Sequence, residues 1–253
     1  MLLNYKKYGE GEPLFIIHGV FGMLDNWQSL GKQWSDDFEI YLIDARNHGR
    51  SDHSETMTFE EMADDLKELL DHLGLEKMNL LGHSMGGKIA MKFAMLYPQL
   101  IEKLMVIDIG PKSYPMHHQG ILKGLELLNF ENYNSRKEVD SDLSKYVTDP
   151  GVRQFLLKNL YWKEKGKLAL RMNLPVISEN MINIIDTVGY DSIDSPTLFV
   201  RGLLSDYIVD EDIDSIHIQF TDSEIVDVPN AGHWIHAQQP LMLHQIILDF
   251  LKP

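Results

Sequence analysis

Short apolar runs alternate along the chain with segments of helical periodicity, and this alternation constrains the fold more than any other feature. The runs fall at residues 13–19, 38–44, 78–82, 103–109, 196–202 and 224–228. Apolar side chains recur at helical spacing in residues 58–73, 86–97 and 241–251. Strands that alternate with helices usually pair in parallel beneath them. We therefore expect an α/β fold, with a mostly parallel twisted sheet and helices on both faces.

The alternation stops between residues 111 and 190, where the pattern is helical or irregular and no strand is evident. Because apolar runs flank this segment on both sides, we interpret it as an insertion between two strands of the sheet. Residues 1–110 and 191–253 would then form one core, with residues 111–190 as a mainly helical cap. Such an insertion would cover the carboxyl edge of the sheet, where α/β proteins bind ligands.

The run at residues 78–82 leads directly into Gly82-His-Ser84-Met-Gly86, which fits the pattern G-x-S-x-G. In that motif a sharp turn between strand and helix lifts the serine hydroxyl above the sheet. The pattern alone is weak, since roughly one chain in ten of this length contains it by chance at average residue usage. An apolar run before it and a helical pattern after it favour a nucleophilic Ser84 over an ordinary glycine-rich turn.

A serine hydroxyl needs a neighbouring base, and histidine serves near neutral pH. The chain has eleven histidines. His233 follows the last apolar run in Asn230-Ala-Gly-His-Trp, late in the chain as the order serine, acid, histidine requires. We predict that His233 is the general base. His236 is the alternative, although it is more naturally placed at the start of the closing helix, supporting the loop.

Two aspartates are candidates for the acid that orients the histidine. Asp206 follows the strand that usually supplies it, but Ser205 occupies the usual position three residues beyond Gly202. Asp108 ends an apolar strand, where an unpaired carboxylate would be costly. The residues favour Asp108 and leave Asp206 open.

Acyl transfer also requires two N–H donors directed at the developing oxyanion. We expect one from the backbone of Met85 and the other from the loop His18-Gly-Val-Phe-Gly22. Val20 is the first choice in that loop and Phe21 the second. The side chains of Phe21 and Trp234 are the candidate substrate contacts.

Composition narrows the function further. The formal net charge is −15 at pH 7, which disfavours binding to nucleic acid. The chain has no cysteine, which excludes disulfides and thiolate chemistry and fits a reducing compartment. No apolar stretch approaches the length of a membrane span, and no signal-peptide pattern is present. We expect a cytoplasmic protein without membrane association, a monomer or homodimer.

No metal or other cofactor is expected. His117 and His118 are adjacent on a segment that looks exposed, and neither H-E-x-x-H nor H-x-x-E-H occurs. The cap carries eleven basic and nine acidic residues, a net charge of +2 on a strongly acidic protein. A basic cap could attract an anionic leaving group such as coenzyme A, or it could simply be a solvated helix face.

Five segments together resemble the α/β-hydrolase superfamily over nearly the whole chain, and within it the small YbfF-type esterases and their abhydrolase-domain relatives. They are His18-Gly-Val-Phe-Gly22, Asp44-Ala-Arg-Asn-His-Gly49, Gly82-His-Ser-Met-Gly-Gly-Lys88, Val106-Ile-Asp-Ile109 and Ala231-Gly-His-Trp-Ile-His236. The resemblance implies hydrolysis of carboxylic esters or acyl thioesters through an acyl-enzyme, without a cofactor. It also implies that the aspartate at the position of Asp108 is the acid.

Other functions on this fold remain open. Ser84 excludes a dehalogenase or an epoxide hydrolase, because either enzyme would carry an aspartate at this position. A carbon–carbon lyase or a synthase retains the same three residues, and so does a small-molecule receptor. The receptor would show slow turnover and tight retention of its ligand. The expected partner in every case is a small molecule, an ester or thioester if the protein is a hydrolase.

Overall fold

The computed structural model describes residues 1–252, and its centre is a seven-stranded sheet with helices on both faces. The strands are β1 (Tyr5–Tyr8), β2 (Glu12–Ile17), β3 (Phe38–Ile43), β4 (Met78–His83), β5 (Ile101–Ile107), β6 (Leu160–Glu164), β7 (Lys167–Leu170), β8 (Thr197–Gly202) and β9 (Ser223–Val228). The helices are α1 (Gln28–Trp34), α2 (Phe59–His72), α3 (Met85–Leu96), α4 (Gln119–Glu126), α5 (Arg136–Leu143), α6 (Pro150–Leu157), α7 (Leu174–Glu179), α8 (Met181–Ile185), α9 (Ile213–Gln219), α10 (Ile235–Gln238) and α11 (Pro240–Leu251).

The strand order in the sheet is β1-β3-β2-β4-β5-β8-β9. Only the pairing of β1 with β3 is antiparallel within this sheet, and the other five pairings are parallel. The expected α/β fold with a mostly parallel sheet is therefore confirmed. Strand β1 was not expected, because its sequence, Tyr-Lys-Lys-Tyr, is short and polar as an edge strand often is.

Both faces of the sheet are buried, as β2 illustrates. Phe15 and Ile17 belong to the core cluster beneath α2 and α3, whereas Leu14 and Ile16 belong to the cluster beneath α1 and α11. Successive side chains of a strand point to opposite faces, so a strand covered on both sides must be apolar throughout. This is why the central strands appear as continuous apolar runs.

Helix α2 begins as its sequence predicts. The Thr58 hydroxyl accepts a hydrogen bond from the Glu61 backbone N–H, and the Glu61 carboxylate accepts one from the Thr58 N–H. This reciprocal pair satisfies two donors at the start of the helix. Gly74 follows the helix with φ +68°, a conformation that favours glycine.

Residues 111–190, which we call the cap segment, lie between β5 and β8 and contain α4 to α8. They also contain an antiparallel hairpin of β6 and β7, so the expectation that this segment has no strand is wrong. The hairpin turns at Gly166 with φ +80°, and its Lys163, Glu164 and Lys165 are exposed. Leu160 and Leu168 are buried, but strands of five and four residues joined by a charged turn are too short for alternation to be recognised.

In the part of the chain that the structure describes, no helix combines the length and apolar character needed to cross a bilayer.

Candidate active site

Ser84 occupies a strained turn between β4 and α3. Its φ of 55° and ψ of −121° lie outside the regions that non-glycine residues usually adopt. Two glycines make the turn possible. A Cβ on Gly82 would lie 2.1 Å from the carbonyl oxygen of Gly86, and one on Gly86 would lie 2.4 Å from the carbonyl oxygen of Ile17. The strand–turn–helix geometry expected of G-x-S-x-G is therefore present.

Five non-glycine residues in the described chain have positive φ, and each follows a strand of the sheet at its carboxyl end. They are Phe21 after β2, Asn47 after β3, Ser84 after β4, Asp108 after β5 and Asn230 after β9. Each such conformation costs on the order of 1–3 kcal/mol. Strain of this kind concentrates at functional sites, and here it concentrates on one edge of the sheet.

Asp108 and His233 meet at this edge. His233 Nδ1 donates a hydrogen bond of 2.8 Å to Asp108 Oδ2. Asp108 is completely buried, and its carboxylate also accepts hydrogen bonds from the Gly202 N–H at 2.9 Å and from the Ser205 hydroxyl. With Nδ1 engaged, His233 keeps Nε2 as its basic nitrogen. His233 and Ser84 line the same cavity.

The two alternative residues lie elsewhere. Asp206 is exposed and forms no hydrogen bond or ion pair with the described residues. His236 stacks on Trp27 with ring centroids 4.7 Å apart, and burial lowers its pKa to about 3. The structure therefore brings Asp108 and His233 together and leaves Asp206 and His236 out of that pair.

Two contacts that position His233, one to its ring and one to its backbone, were not found from the sequence. Tyr207 stacks on it with ring centroids 3.9 Å apart and planes inclined by 13°. The imidazole of His83, the residue before the serine, donates from Nε2 to the His233 backbone carbonyl at 2.8 Å. Burial lowers the pKa of His83 well below its ordinary value, so it stays neutral.

The loop after β2 brings Val20 and Phe21 to the cavity beside Ser84. The Phe21 backbone N–H donates to His48 Nε2 at 3.2 Å, so it is not free to bind an oxyanion. The Val20 N–H takes part in no hydrogen bond of the described residues. The geometry therefore favours Val20 over Phe21 as the partner of the Met85 N–H.

The segment Asp44–Gly49 supports this loop from below. The Asp44 carboxylate accepts the Leu24 N–H at 2.7 Å, and the Ala45 N–H donates to His18 Nε2 at 3.1 Å. Burial lowers the pKa of His18 to about 4 and that of His48 to about 3, which keeps both rings neutral and able to accept. This part of the sequence therefore holds the oxyanion loop and does not itself face the cavity.

The cap segment is bonded to the core at the same edge. Asn159, fully buried, donates from its side chain to the Phe21 carbonyl at 2.7 Å. Asn173 donates from its backbone to the Asn47 carbonyl at 2.8 Å. Both contacts fall on loops at the carboxyl edge of the sheet, where Ser84 also lies. The position of the cap segment and the shape of the site are therefore linked.

Lys88 joins the two ends of the cap segment. Its buried ammonium donates to the backbone carbonyls of Lys112 at 2.7 Å, of Ile185 at 3.4 Å and of Asp186. It also lies 4.9 Å from the centre of the Tyr114 ring. Burial lowers the pKa of Lys88 to about 7. In its protonated form the side chain has three N–H donors for these three carbonyls, and it serves as a structural cross-link.

Two small cavities meet at Ser84, with volumes of about 40 and 20 Å³. Both are bordered by Val20, Ser84 and His118. His233 also lines the larger one. Its apolar lining side chains are Phe21, Ile121, Val152, Phe155 and Trp234. The smaller one also contains Met85 and is lined by Lys88, Ile109, Tyr114, Ile184, Ile185 and Tyr207. Phe21 and Trp234 thus lie where a substrate would contact them.

A wider groove of about 620 Å³ is lined by the cap segment and by His53, and Ser84 does not border it. It is lined mainly by apolar side chains, among them Leu125, Leu128, Phe130, Leu168, Leu170 and Met172. None of its lining residues borders the two cavities at Ser84, so it is separate from the catalytic edge.

The four lysines near and within the hairpin do not line the cavities at Ser84. Lys158, Lys163, Lys165 and Lys167 are exposed, and none lines either cavity. Within the described residues, no group of three or more histidine, aspartate or glutamate side chains is arranged to hold a metal ion.

The fold agrees with the comparisons to known proteins. The chain matches the α/β hydrolase fold family over residues 12–240 and belongs to that family. The resemblance recognised from the sequence is confirmed.

Three relatives illustrate the likeness. The sn-1-specific diacylglycerol lipase ABHD11 of Danio rerio is 38% identical over 97% of this chain and 80% of its own length. The esterase YbfF of Escherichia coli K12 is 33% identical over 95% of this chain and 93% of its own. The solved structure of a marine microorganism esterase is 43% identical, covers 98% of this chain and 99% of its own, and superposes with a TM-score of 0.96.

Proposed function

We propose that this protein is a serine hydrolase that cleaves carboxylic esters, with Ser84 as nucleophile, His233 as general base and Asp108 as the orienting acid. The observation that carries the proposal is the 2.8 Å hydrogen bond from His233 to the buried Asp108, in a histidine that shares a cavity with the strained Ser84. A serine nucleophile, a histidine that takes its proton and a buried acid that orients the histidine make up the triad of acyl transfer.

The reaction follows from these positions. His233 Nε2 takes the Ser84 proton as the hydroxyl attacks the ester carbonyl, and Asp108 stabilises the imidazolium that forms. The backbone N–H groups of Val20 and Met85 bind the oxyanion of the tetrahedral intermediate. His233 then gives the proton to the departing alcohol and leaves an acyl group on Ser84. Water, activated by the same histidine, releases the acid in a second round.

The names of the relatives support an ester as the substrate, since they include esterases and a diacylglycerol lipase. An acyl thioester undergoes the same chemistry and remains the second candidate. Its support is the positive charge of the cap segment, which could attract the phosphates of coenzyme A. The exposed lysines of the hairpin line neither cavity, and this favours the ester.

The test compares p-nitrophenyl butyrate with butyryl-coenzyme A, using wild type and Ser84→Ala at low and high salt. We expect wild type to cleave the ester and the variant to lose that activity by at least a thousandfold. A thioesterase would instead prefer the coenzyme A ester, and its rate would fall with salt while the neutral ester is unaffected. Tight binding without turnover would indicate a receptor, and activity that survives in Ser84→Ala would refute the assigned nucleophile.

A further inference from the structure

His118, in the cap segment, borders both cavities that meet at Ser84. It lies at the start of α4 but its side chain forms no capping hydrogen bond. The ring contacts the edge of Phe21 at 5.9 Å between centroids and the neighbouring His117 at 4.2 Å. Thus an imidazole that the sequence placed on an exposed segment is directed inward, toward the cavities that Ser84 also borders.

The His118 ring lacks polar partners. Its Nδ1 is buried without a hydrogen bond, and no described residue bonds its Nε2. Its polar neighbours are engaged elsewhere. His117 contacts the Tyr207 hydroxyl, and the Tyr114 hydroxyl donates to the Tyr207 carbonyl at 2.8 Å. A polar ring left unpaired in this way costs free energy unless a ligand completes it.

The proton of the neutral ring can be assigned. Burial, together with the charges of His117 and His233, lowers the pKa of His118 to about 4, so the ring is neutral near pH 7. A buried N–H without an acceptor is rarer than a buried acceptor without a donor. We therefore place the proton on Nε2, which makes that atom a donor, and leave Nδ1 as the unpaired acceptor.

The two cavities take different parts of an ester. The departing alcohol must lie next to His233, which gives it a proton. His233 lines the cavity of about 40 Å³ but not the cavity of about 20 Å³, so the first lies on the alcohol side of the ester bond and the second on the acyl side. The side chains that line the alcohol cavity include Phe21, Phe155 and Trp234, and against these His118 places a hydrogen-bond donor.

Resting on the proposed ester hydrolysis, we propose that His118 is a substrate-binding residue that selects esters whose alcohol portion carries a free hydroxyl near the ester bond. The hydroxyl oxygen accepts a hydrogen bond from His118 Nε2. A plain alkyl ester offers no such acceptor, so the His118 donor loses its hydrogen bond when the ester displaces water from it.

The test uses two butyrate esters with the same carbon skeleton, 1-butyrylglycerol and propyl butyrate. Wild type, His118→Phe and His118→Gln are compared by kcat/KM on each ester. His118→Phe keeps the ring and removes the donor, whereas His118→Gln retains an N–H at a similar reach. His72→Phe, an exposed histidine at the end of α2, is the matched control.

We expect the ratio of kcat/KM for 1-butyrylglycerol over propyl butyrate to fall about five- to tenfold in His118→Phe, as for one lost hydrogen bond. The ratio should recover in His118→Gln and stay at the wild-type value in His72→Phe. An unchanged ratio in His118→Phe, or an equal loss on both esters, would overturn the inference while hydrolysis itself stands. If wild type cleaves neither ester, the proposed function is wrong and this inference falls with it.

Discussion

The Nδ1 atom of His233 lies 2.8 Å from Oδ2 of Asp108, although 125 residues of chain separate them. The carboxylate is fully buried and also accepts the Gly202 N–H and the Ser205 hydroxyl. The residue at the alternative acid position, Asp206, is exposed. Ser205, at the position after β8 that usually supplies the acid, donates to the Asp108 carboxylate and so supports the proposed acid, which follows β5.

This arrangement predicts opposite results for the two aspartates. Asp108→Asn should lower kcat/KM on p-nitrophenyl butyrate by about a thousandfold or more, because the amide no longer stabilises the imidazolium and favours the wrong tautomer. Asp206→Asn, the matched control, should change kcat/KM by less than about twofold. A large loss in Asp206→Asn with little loss in Asp108→Asn would show that the acid comes from the other position.

The buried histidines predict a loss of stability in acid. Burial lowers the pKa of His18, His48, His118 and His236 to between about 3 and 4, against an ordinary value of 6.5. Between these values the unfolded chain binds protons that the folded chain does not. The free energy of unfolding therefore falls as pH falls from about 6.5 toward 4.

This loss can be measured as proton uptake on unfolding at pH 5, from calorimetry in buffers of different ionisation enthalpy. His48→Gln should reduce the uptake by about one proton, because one low-pKa histidine has been removed. If the uptake is the same in wild type and His48→Gln, the neutral state assigned to this ring is wrong.

The hydrogen bonds of Lys88 predict that its loss destabilises the junction of cap segment and core. Lys88→Met leaves three backbone carbonyls without their donor, and we expect the free energy of unfolding in urea to fall by about 3 kcal/mol at pH 7. Lys92→Met is the matched control on the same helix. Its ammonium pairs with the largely exposed Glu60, so the loss should stay below about 1 kcal/mol. Equal losses in the two variants would contradict the cross-link.

Asn159 predicts an effect of the cap segment on the oxyanion loop. Asn159→Leu removes the 2.7 Å hydrogen bond to the Phe21 carbonyl, next to the Val20 donor. A displaced donor weakens transition-state binding, so kcat on p-nitrophenyl butyrate should fall about tenfold or more with KM changed less. Asn183→Leu, an exposed change in α8, is the control and should leave kcat unaltered. If Asn159→Leu raises KM and leaves kcat unchanged, Asn159 acts on substrate access and not on the oxyanion donors.

The sequence predicts the parts of this molecule that local patterns encode. Continuous apolar runs mark the central strands because both faces of the sheet are buried. The glycines around Ser84 mark the turn because no side chain fits there. The superfamily likeness is confirmed, while the roles of Ser84, His233 and Asp108 stay predictions. So do the cytoplasmic location and the oligomeric state.

Contacts between distant segments could not be predicted in this way. Tyr207 reaches the His233 ring from a different loop, and Lys88 reaches carbonyls about one hundred residues away. His118 looked exposed because its neighbours are polar, but its direction depends on how α4 packs. The hairpin of β6 and β7 was missed because its strands have only five and four residues and its turn is charged.

The central claim is that the acyl group is carried by Ser84. Incubation with a fluorophosphonate, followed by digestion and mass spectrometry, tests it directly. The account predicts one adduct per chain on the peptide that contains Ser84, loss of esterase activity in proportion to labelling, and no adduct in Ser84→Ala. An adduct on a different residue that abolishes activity, or full activity after Ser84 is labelled, would contradict it.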